Sequence, residues 1–364
     1  MSRRALVLGA VGLLLGSALA VRILSEADWN PTVMVRFGED WTEQNEYARS
    51  MLGDDIVIAP QGGHDGRFFF IQGMDPFYVE PEVHAVQLDR PTYRAQRMAY
   101  PTLASLGGLL GPWETTWGLI VVNILALGVG TYFTAMVAMK FGLSHWFGLA
   151  FLVNPGILVE QNINGGGIIA VAALMAGVYY AMSDRFGVAA VALTVAVLAR
   201  ETMLIAVVGI VLYQLLIAKR KEWVLVWPVV GAVAWWGFLR MRIEDGVVQD
   251  TEALGLPFVG LFQAAQRWFQ SSGHELDILG AIILIFISLS LLWKSWKRPT
   301  ILGWSVAGFA ILGFCLSAPV WYRYFDSSRA MAPVLTAYLI LLPALSRADG
   351  AQPTVPAQEA ERMP

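Results

Sequence analysis

The sequence predicts an all-α protein that crosses a membrane many times. Hydrophobic residues make up 56% of its 364 residues and charged residues only 15%, whereas an average soluble domain has about 25% charged residues. Several apolar runs reach the roughly 20 residues that a helix needs to cross a bilayer. These two features indicate a polytopic membrane protein.

Composition also excludes several kinds of protein. The net charge is −3 and no basic block stands out, so nothing points to a nucleic-acid partner. A single cysteine, Cys315, rules out an internal disulfide framework and a cysteine-rich metal site. The four histidines are scattered without metal-ligand spacing. We therefore expect neither a metal nor a cofactor.

The first predicted span covers residues 4–24 and follows the basic pair Arg3-Arg4. Ala18-Leu19-Ala20 also fits a signal-peptidase site, so removal of this span remains an alternative. A large first loop, 25–112, comes next and contains mixed polar sequence up to residue 98. The further apolar runs are 113–138, 144–161, 163–183, 187–217, 223–243, 276–293, 300–319 and 330–346.

Basic residues in the short loops predict the orientation, because cytoplasmic loops carry an excess of Lys and Arg. All of the basic loops lie on the cytoplasmic side only if residues 187–217 cross the membrane twice. They would do so as two short helices that meet at Arg200-Glu201-Thr202. Ten crossings result, in a single transmembrane domain of residues 1–346 with both ends inside. The expected outer segments are 25–112, 162–166, 200–202, 244–275 and 320–329. Residues 347–364, rich in Pro, Ala and Glu, predict a disordered cytoplasmic tail.

Charged residues that interrupt or end the spans collect on the predicted outer side. Ionisable groups at membrane depth are costly and usually face a bundle interior or a cavity, so each is a candidate for binding or catalysis. The candidates are Asp65, Arg67, Arg90, Arg94, Arg97, Arg200, Glu201, Arg323, Asp326 and Arg329.

The first loop contains two predicted helices. Residues 39–52 have helix-forming composition and are typical of a helix that lies flat at the membrane interface. Residues 65–74 follow the break at Gly62-Gly63, and their apolar run 68–71 is expected to anchor them among lipid headgroups. Asp65 begins this helix and suits its dipole, so an N-cap role remains open beside a chemical one.

Three arginines, Arg90, Arg94 and Arg97, follow at helical spacing in the same loop. Residues spaced i, i+4 and i+7 lie on one helical face, and Pro91 suits a first helical turn. Such a row of cations repels itself unless it meets anions. The anions are either lipid headgroups or a bound phosphate, since the arginine fork matches phosphate oxygens.

Two other segments have simpler interpretations. Asn164-Gly165-Gly166-Gly167 resembles a phosphate-binding helix start but lacks the lysine of a P-loop, so we interpret it as a tight outer turn. Residues 254–272 predict an amphipathic helix at the interface.

The order of motifs along the chain resembles bacterial integral-membrane glycosyltransferases of the GT-C class. The similar segments are Asp65-Gly66-Arg67-Phe68-Phe69, Asp75-Pro76, Leu88 to Pro101 (LDRPTYRAQRMAYP), Ala199-Arg200-Glu201-Thr202 and Tyr324-Phe325-Asp326-Ser327-Ser328-Arg329. The resemblance is strongest over residues 62–138. It implies a large first outer loop with interfacial helices, a polyprenyl-phosphate-sugar donor and a catalytic carboxylate in that loop, at the position of Asp65.

This resemblance implies a sugar transfer at the outer face of a bacterial cytoplasmic membrane, with an acceptor that the sequence does not identify. Asp65 is the expected base, with Asp54-Asp55 and Asp75 as alternatives because many relatives carry an Asp-Glu pair nearer the first span. The arginines are expected to bind the phosphate. Glu201 is expected to hold Arg200, and Asp326 with Arg329 has the i, i+3 spacing of an intrahelical pair. The alternative hypotheses are a transporter or flippase of a lipid-linked or anionic substrate, and a non-catalytic membrane scaffold.

Overall fold

The computed structural model describes residues 2–60, 62–80, 88, 90–243 and 254–350. The α-helices are α1 (Arg3–Ser25), α2 (Thr32–Val35), α3 (Thr42–Leu52), α4 (Gly66–Met74), α5 (Pro91–Arg94), α6 (Ala99–Ala104), α7 (Pro112–Lys140), α8 (Pro155–Asn162), α9 (Gly167–Ala181), α10 (Phe186–Ala199), α11 (Leu204–Leu212), α12 (Trp227–Arg242), α13 (Val259–Gln270), α14 (Glu275–Lys297), α15 (Ile301–Phe314), α16 (Ala318–Trp321), α17 (Tyr324–Ala330) and α18 (Ala332–Gly350).

Irregular helical turns and one small sheet complete the described architecture. The 3₁₀ helices are His145–Ala150, Glu201–Met203 and Trp223–Val226, and a π-helical turn covers Tyr213–Ile217. The strands β1 (Phe37–Gly38) and β2 (Ile58–Ala59) pair in parallel within the first loop. The protein is therefore almost entirely helical over its described residues.

Several helices are long and apolar enough to cross a membrane. They are α1, α7, the segment Trp223–Arg242 and α14, to which the pair α17 and α18 adds a fifth candidate if its 74° bend lies within one span. Shorter apolar helices of 10–17 residues cover α9, α10, Glu201–Ile217 and α15. This is the all-α, membrane-type architecture that the hydropathy predicts.

Three predicted spans differ from the structure. Residues 300–319 are divided, because α15 ends at Phe314 and α16 begins only at Ala318. Residues 144–161 are not one helix, because a 3₁₀ helix ends at Ala150 and α8 begins only at Pro155. Proline disfavours helical geometry in the residue before it, and the side chain of Asn154 instead caps α8 and donates to the carbonyl oxygen of Ala332. The third difference is α18, which continues to Gly350, past the predicted start of the tail at 347.

Some predicted segments lie outside the described residues. These are 351–364 of the predicted tail, 244–253 of the second predicted outer loop, and 61, 81–87 and 89 of the first predicted outer loop. The break predicted within 187–217 is present, since α10 ends at Ala199 and a 3₁₀ turn starts at Glu201. Helix α13 lies within the predicted amphipathic segment and buries Gly260, Ala264 and Trp268 on one face.

Glycines let the first helix lie directly against α7. A Cβ atom at Gly12 would come within 2.7 Å of both the Leu127 carbonyl oxygen and the Thr131 hydroxyl, and one at Gly16 within 2.8 Å of Leu127 Cδ1. Small residues at such spacing allow close backbone approach between helices in membranes, where packing drives association. This contact holds the start of the first loop against the main bundle.

The first loop folds into the protein core rather than onto a lipid surface. Residues Phe68, Phe69, Phe70 and Ile71 are at most 3% exposed, and α4 packs against α6 and α7. Phe70 meets Phe37 edge to face, and Phe69 meets Tyr100. The predicted headgroup anchor is therefore wrong, because these side chains bury their apolar area against the protein.

We expect Gly12→Val to lower the free energy of unfolding by about 1–3 kcal/mol, because the added atoms overpack the α1–α7 contact. Gly237→Val is the matched control, since a Cβ at Gly237 of α12 meets nothing within 4 Å. Thermal unfolding of both purified variants in one detergent measures the difference. Equal melting temperatures for the two variants would contradict this packing argument.

Candidate active site: a buried cluster of arginines and carboxylates

Backbone packing at the start of α4 determines where Asp65 lies. A Cβ atom on Gly66 would approach the carbonyl oxygens of Val35 and Ile163 within 2.6 and 2.8 Å. Glycine at this position therefore lets the loop helix press against both segments. The contact brings Asp65 beside the turn between α8 and α9.

Asp65 binds arginines from two distant parts of the chain. Its Oδ1 accepts a hydrogen bond from Arg94 Nη1 at 3.1 Å, and its Oδ2 accepts one from Arg329 Nη2 at 3.0 Å. Arg97 Nη1 lies 3.9 Å from Oδ2. Although Asp65 occupies the N-cap position of α4, its side chain makes no capping hydrogen bond. The N-cap alternative is therefore excluded.

Glu201 holds Arg97 rather than Arg200. Its two oxygens accept from Arg97 Nε at 2.8 Å and Nη2 at 2.9 Å, which is the bidentate geometry of a strong pair. The Tyr93 hydroxyl adds to this network by accepting from Arg97 Nη2 at 2.6 Å. The predicted Glu201–Arg200 pair is wrong because extended backbone at Arg200 directs neighbouring side chains to opposite sides.

Glu160, a residue not among the predicted candidates, lies at the base of the cluster. Only 2% of it is exposed. Its Oε1 accepts from Arg329 Nε at 2.9 Å and lies 3.6 Å from Arg200 Nη1. The sequence carried a signal for it, because an acid within an otherwise apolar run is a functional-site candidate.

Glycines at the start of α9 leave room for the Glu160 carboxylate. Glu160 Oε2 accepts from the Gly167 backbone N–H at 3.1 Å, at the positive end of the helix dipole. A Cβ atom on Gly165 or Gly167 would overlap the Glu160 side chain. The segment 164–167 is thus more than the tight turn expected from sequence, since it binds an anion that the protein itself supplies.

Arg329 joins the two halves of the cluster. It contacts Asp65, Glu160 and, at 3.4 Å, Asp326 of its own helix. Arg200 Nη1 donates to the Arg329 backbone carbonyl at 3.2 Å, so the break after α10 is tied to α17. The Asp326–Arg329 contact has the expected i, i+3 geometry.

Among the described residues, the cluster contains equal numbers of positive and negative groups and is closely packed. Four guanidinium groups (Arg94, Arg97, Arg200 and Arg329) face four carboxylates (Asp65, Glu160, Glu201 and Asp326). The cavity at its centre has a volume of about 20 Å³, which suffices for roughly one water molecule. A larger ligand must therefore displace some of these side chains.

Ion pairing sets the protonation state of Asp65. Burial alone would raise the pKa of its carboxyl, but the guanidinium groups of Arg94, Arg329 and Arg97 outweigh burial and hold that pKa well below its usual range. Burial, reinforced by Arg329, lowers the pKa of the neighbouring His64 imidazole. At neutral pH the carboxylate is therefore ionised and the imidazole uncharged.

Three predicted arginines lie apart from these pairs. The buried guanidinium of Arg67 stacks between the Trp41 ring at 4.0 Å and the Phe68 ring at 4.6 Å, so it belongs to the core of the loop. Arg90 directly precedes α5, at its N-cap position. Arg323 is exposed, and its guanidinium lies 5.5 Å from the Phe325 ring. The predicted arginine row fails because α5 ends at Arg94.

The alternative acids of the first loop also lie elsewhere. Asp75 accepts from the backbone N–H groups of Val79 and Glu80, which makes it part of a local turn. Asp54 and Asp55 are exposed. Of the acids proposed for the first loop, Asp65 is the one that the structure brings to the arginines.

Comparisons with known proteins give no relative for this chain. No protein-family model matches it, and neither the curated proteins nor the solved structures contain a significant match.

We expect Glu160→Gln to reduce the free energy of unfolding by about 3–5 kcal/mol, because it leaves Arg200 without its buried counter-charge and removes one of the three carboxylates that contact Arg329. Asp326→Asn is the matched control. The Asp326 side chain is 31% exposed, so its loss should remain below about 1 kcal/mol. Denaturant titration of both variants measures the two changes. A Glu160→Gln variant as stable as the control would show that Glu160 does not hold the cluster together.

Proposed function

We propose that the protein is a membrane glycosyltransferase that moves a sugar from a polyprenyl-phosphate donor to an acceptor at the outer face of the cytoplasmic membrane. The observation that carries this proposal is the contact of one loop carboxylate, Asp65, with Arg94 and Arg329. A potential base and potential phosphate ligands thus share a single site. The resemblance to GT-C enzymes supports the same assignment.

An apolar groove beside the cluster supports a lipid-linked donor. Its volume is about 280 Å³, and it lies between α14 and the α17–α18 bend, lined by Pro155, Leu276, Leu279, Gly280, Ile283, Leu284, Tyr324, Ser328 and Leu335. Ser328 directly precedes Arg329 in the chain. A polyprenyl tail in this groove would place its phosphate next to that guanidinium.

The transfer itself needs two groups on the protein. An acceptor hydroxyl or amine attacks the anomeric carbon, a bond from that carbon to the acceptor forms, and the bond from it to the phosphate oxygen breaks. Polyprenyl phosphate leaves with the electron pair, which the arginines stabilise in a site of low dielectric. Asp65 takes the proton of the acceptor. No nucleotide takes part.

Donor binding also provides a way to make Asp65 a usable base. In the unliganded cluster its three arginine contacts suppress its affinity for protons. A donor phosphate that draws Arg94 and Arg329 away weakens this suppression, and it adds negative charge to a cluster whose own charges balance. Both effects raise the proton affinity of Asp65 toward the range that suits general base catalysis.

The proposed function also requires a particular orientation of the chain in the membrane. The chain crosses a bacterial cytoplasmic membrane ten times, with the cluster at the outer face and both ends in the cytoplasm. The support is the excess of Lys and Arg in the alternate loops, together with the cluster that joins distant residues of the chain. These residues are Asp65, Arg94, Arg97, Glu160, Gly167, Arg200, Glu201 and Arg329. Each of them, apart from Glu160, lies in or directly beside a loop predicted to be external.

We expect Asp65→Asn to lower the rate of sugar transfer by about 10²–10⁴-fold, the usual contribution of a general base. The measurement is release of polyprenyl phosphate from a panel of polyprenyl-phosphate sugars by the purified protein. Asp184→Asn is the control, because Asp184 forms an exposed pair with Arg220 away from the cluster. Wild-type rates in Asp65→Asn would remove this residue from the mechanism. Movement of intact donor across vesicles without release would favour the transporter.

A second variant tests the groove. Ile283 is 44% exposed on the face of α14 that lines it, so Ile283→Trp should obstruct the tail without disturbing the arginines. We expect the variant to bind a long polyprenyl phosphate more weakly, while its affinity for a short, ten-carbon isoprenyl phosphate stays unchanged. The control is Ile282→Trp, at a neighbouring exposed position. An unchanged preference for the long chain would exclude this groove as the tail site.

A further inference from the structure

A second cavity with a different character lies at the opposite end of α14 from the arginine cluster. Its volume is about 430 Å³, and it is lined by Trp293, Lys294, Lys297, Arg298 and Leu345. Three of these five side chains are basic and one is an indole. The described lining therefore makes this cavity a cationic site at the end of α14.

The position of this cavity follows from the contacts of α14. Near the start of the helix, Asp277 Oδ1 accepts from the backbone N–H of Tyr324 at 2.8 Å, in the same short helix as Arg329. Lys294 lies 17 residues further along α14, which spans roughly 25 Å at 1.5 Å per residue. The two sites are thus separated by about the thickness of a bilayer core.

Arg298 is held in place, and no acid among the described residues forms an ion pair with the lysines of the cavity. Arg298 Nη1 donates to the Leu345 carbonyl oxygen at 2.8 Å, which ties the end of α14 to α18. Lys297 Nζ lies 4.9 Å from the Trp293 ring centre. Neither Lys294 nor Lys297 forms an ion pair within the described part of the chain. Their positive charge also suits the negative end of the α14 dipole, but this does not account for the cavity between them.

The surroundings favour a lipid over a dissolved anion. The α14 face that leads to the cavity exposes Phe286, Leu289 and Trp296, each more than half exposed. Such a surface suits acyl chains, while aromatic side chains at the end of a span suit the headgroup layer. Basic pockets between transmembrane helices bind the headgroups of anionic lipids.

We propose that this cavity binds the phosphate headgroup of an anionic phospholipid, with the acyl chains along the exposed face of α14. Lys294 and Lys297 contact the phosphate, and the Trp293 ring borders the glycerol region. The site is independent of sugar transfer, because it shares no residue with the arginine cluster. Its occupant would brace the junction of α14 and α18 on that side of the membrane.

The test is native mass spectrometry of the purified full chain in a neutral detergent, titrated with phosphatidylglycerol or phosphatidylcholine. We expect the first phosphatidylglycerol to bind more tightly than phosphatidylcholine. Each basic residue near an anionic lipid contributes roughly fivefold in affinity, so Lys294→Gln with Lys297→Gln should weaken phosphatidylglycerol binding about 30-fold. The matched control is Lys219→Gln with Lys221→Gln, which removes two exposed lysines elsewhere.

Two further variants separate charge from folding. Lys294→Arg with Lys297→Arg keeps both charges and should retain binding, while the exposed single change Lys297→Glu should weaken it even if the double Gln variant fails to fold. Equal affinity for the two lipids, or equal loss in the Lys219 and Lys221 control, would overturn the proposal. Displacement of the lipid by an equal concentration of glycerol 3-phosphate would also overturn it, since the site would then bind a soluble phosphate.

Discussion

Mutual neutralisation of buried charge is the constraint on which the structure around the first loop depends. Removing an ionised group from water costs several kcal/mol even after relaxation, unless partners with good geometry surround it. Arg97, Arg200, Arg329 and Glu160 are all largely withdrawn from solvent. Because their partners come from four distant segments, satisfying the charges also fixes the positions of α4, α8, α17 and the break after α10.

Glycines make this neutralisation possible. Gly66 lets the first loop approach the backbone at Val35 and Ile163, while Gly165 and Gly167 leave room for the Glu160 carboxylate. A side chain at any of these positions would separate groups that must lie about 3 Å apart to pair. The Asp-Gly sequence at 65–66 is therefore a geometric requirement, because the acid reaches the arginines only when the next residue has no Cβ.

Under the proposed function, the paired cluster is the resting state of the site. Its central cavity accommodates about one water, and the charges of its described residues compensate one another. In this proposal, an anionic donor binds by replacing a carboxylate as the partner of an arginine. Binding and proton affinity are thereby coupled, since each arginine that turns to the ligand makes the carboxylate it leaves more basic.

Hydropathy and the rarity of charges in apolar runs predict the all-α membrane character, the break at Arg200-Glu201 and the candidacy of Asp65, Arg94, Arg97 and Arg329. These are local properties that can be read from the sequence. Which charges pair became known from the fold. It joined Glu201 to Arg97, added Glu160 to the cluster, placed Arg67 in the core of the loop and left Arg323 exposed. Pair formation depends on distances between residues up to 264 positions apart, and no local pattern contains those distances. The same holds for the apolar run 68–71, because a hydrophobic segment is equally suited to lipid and to a protein core until packing selects one of them.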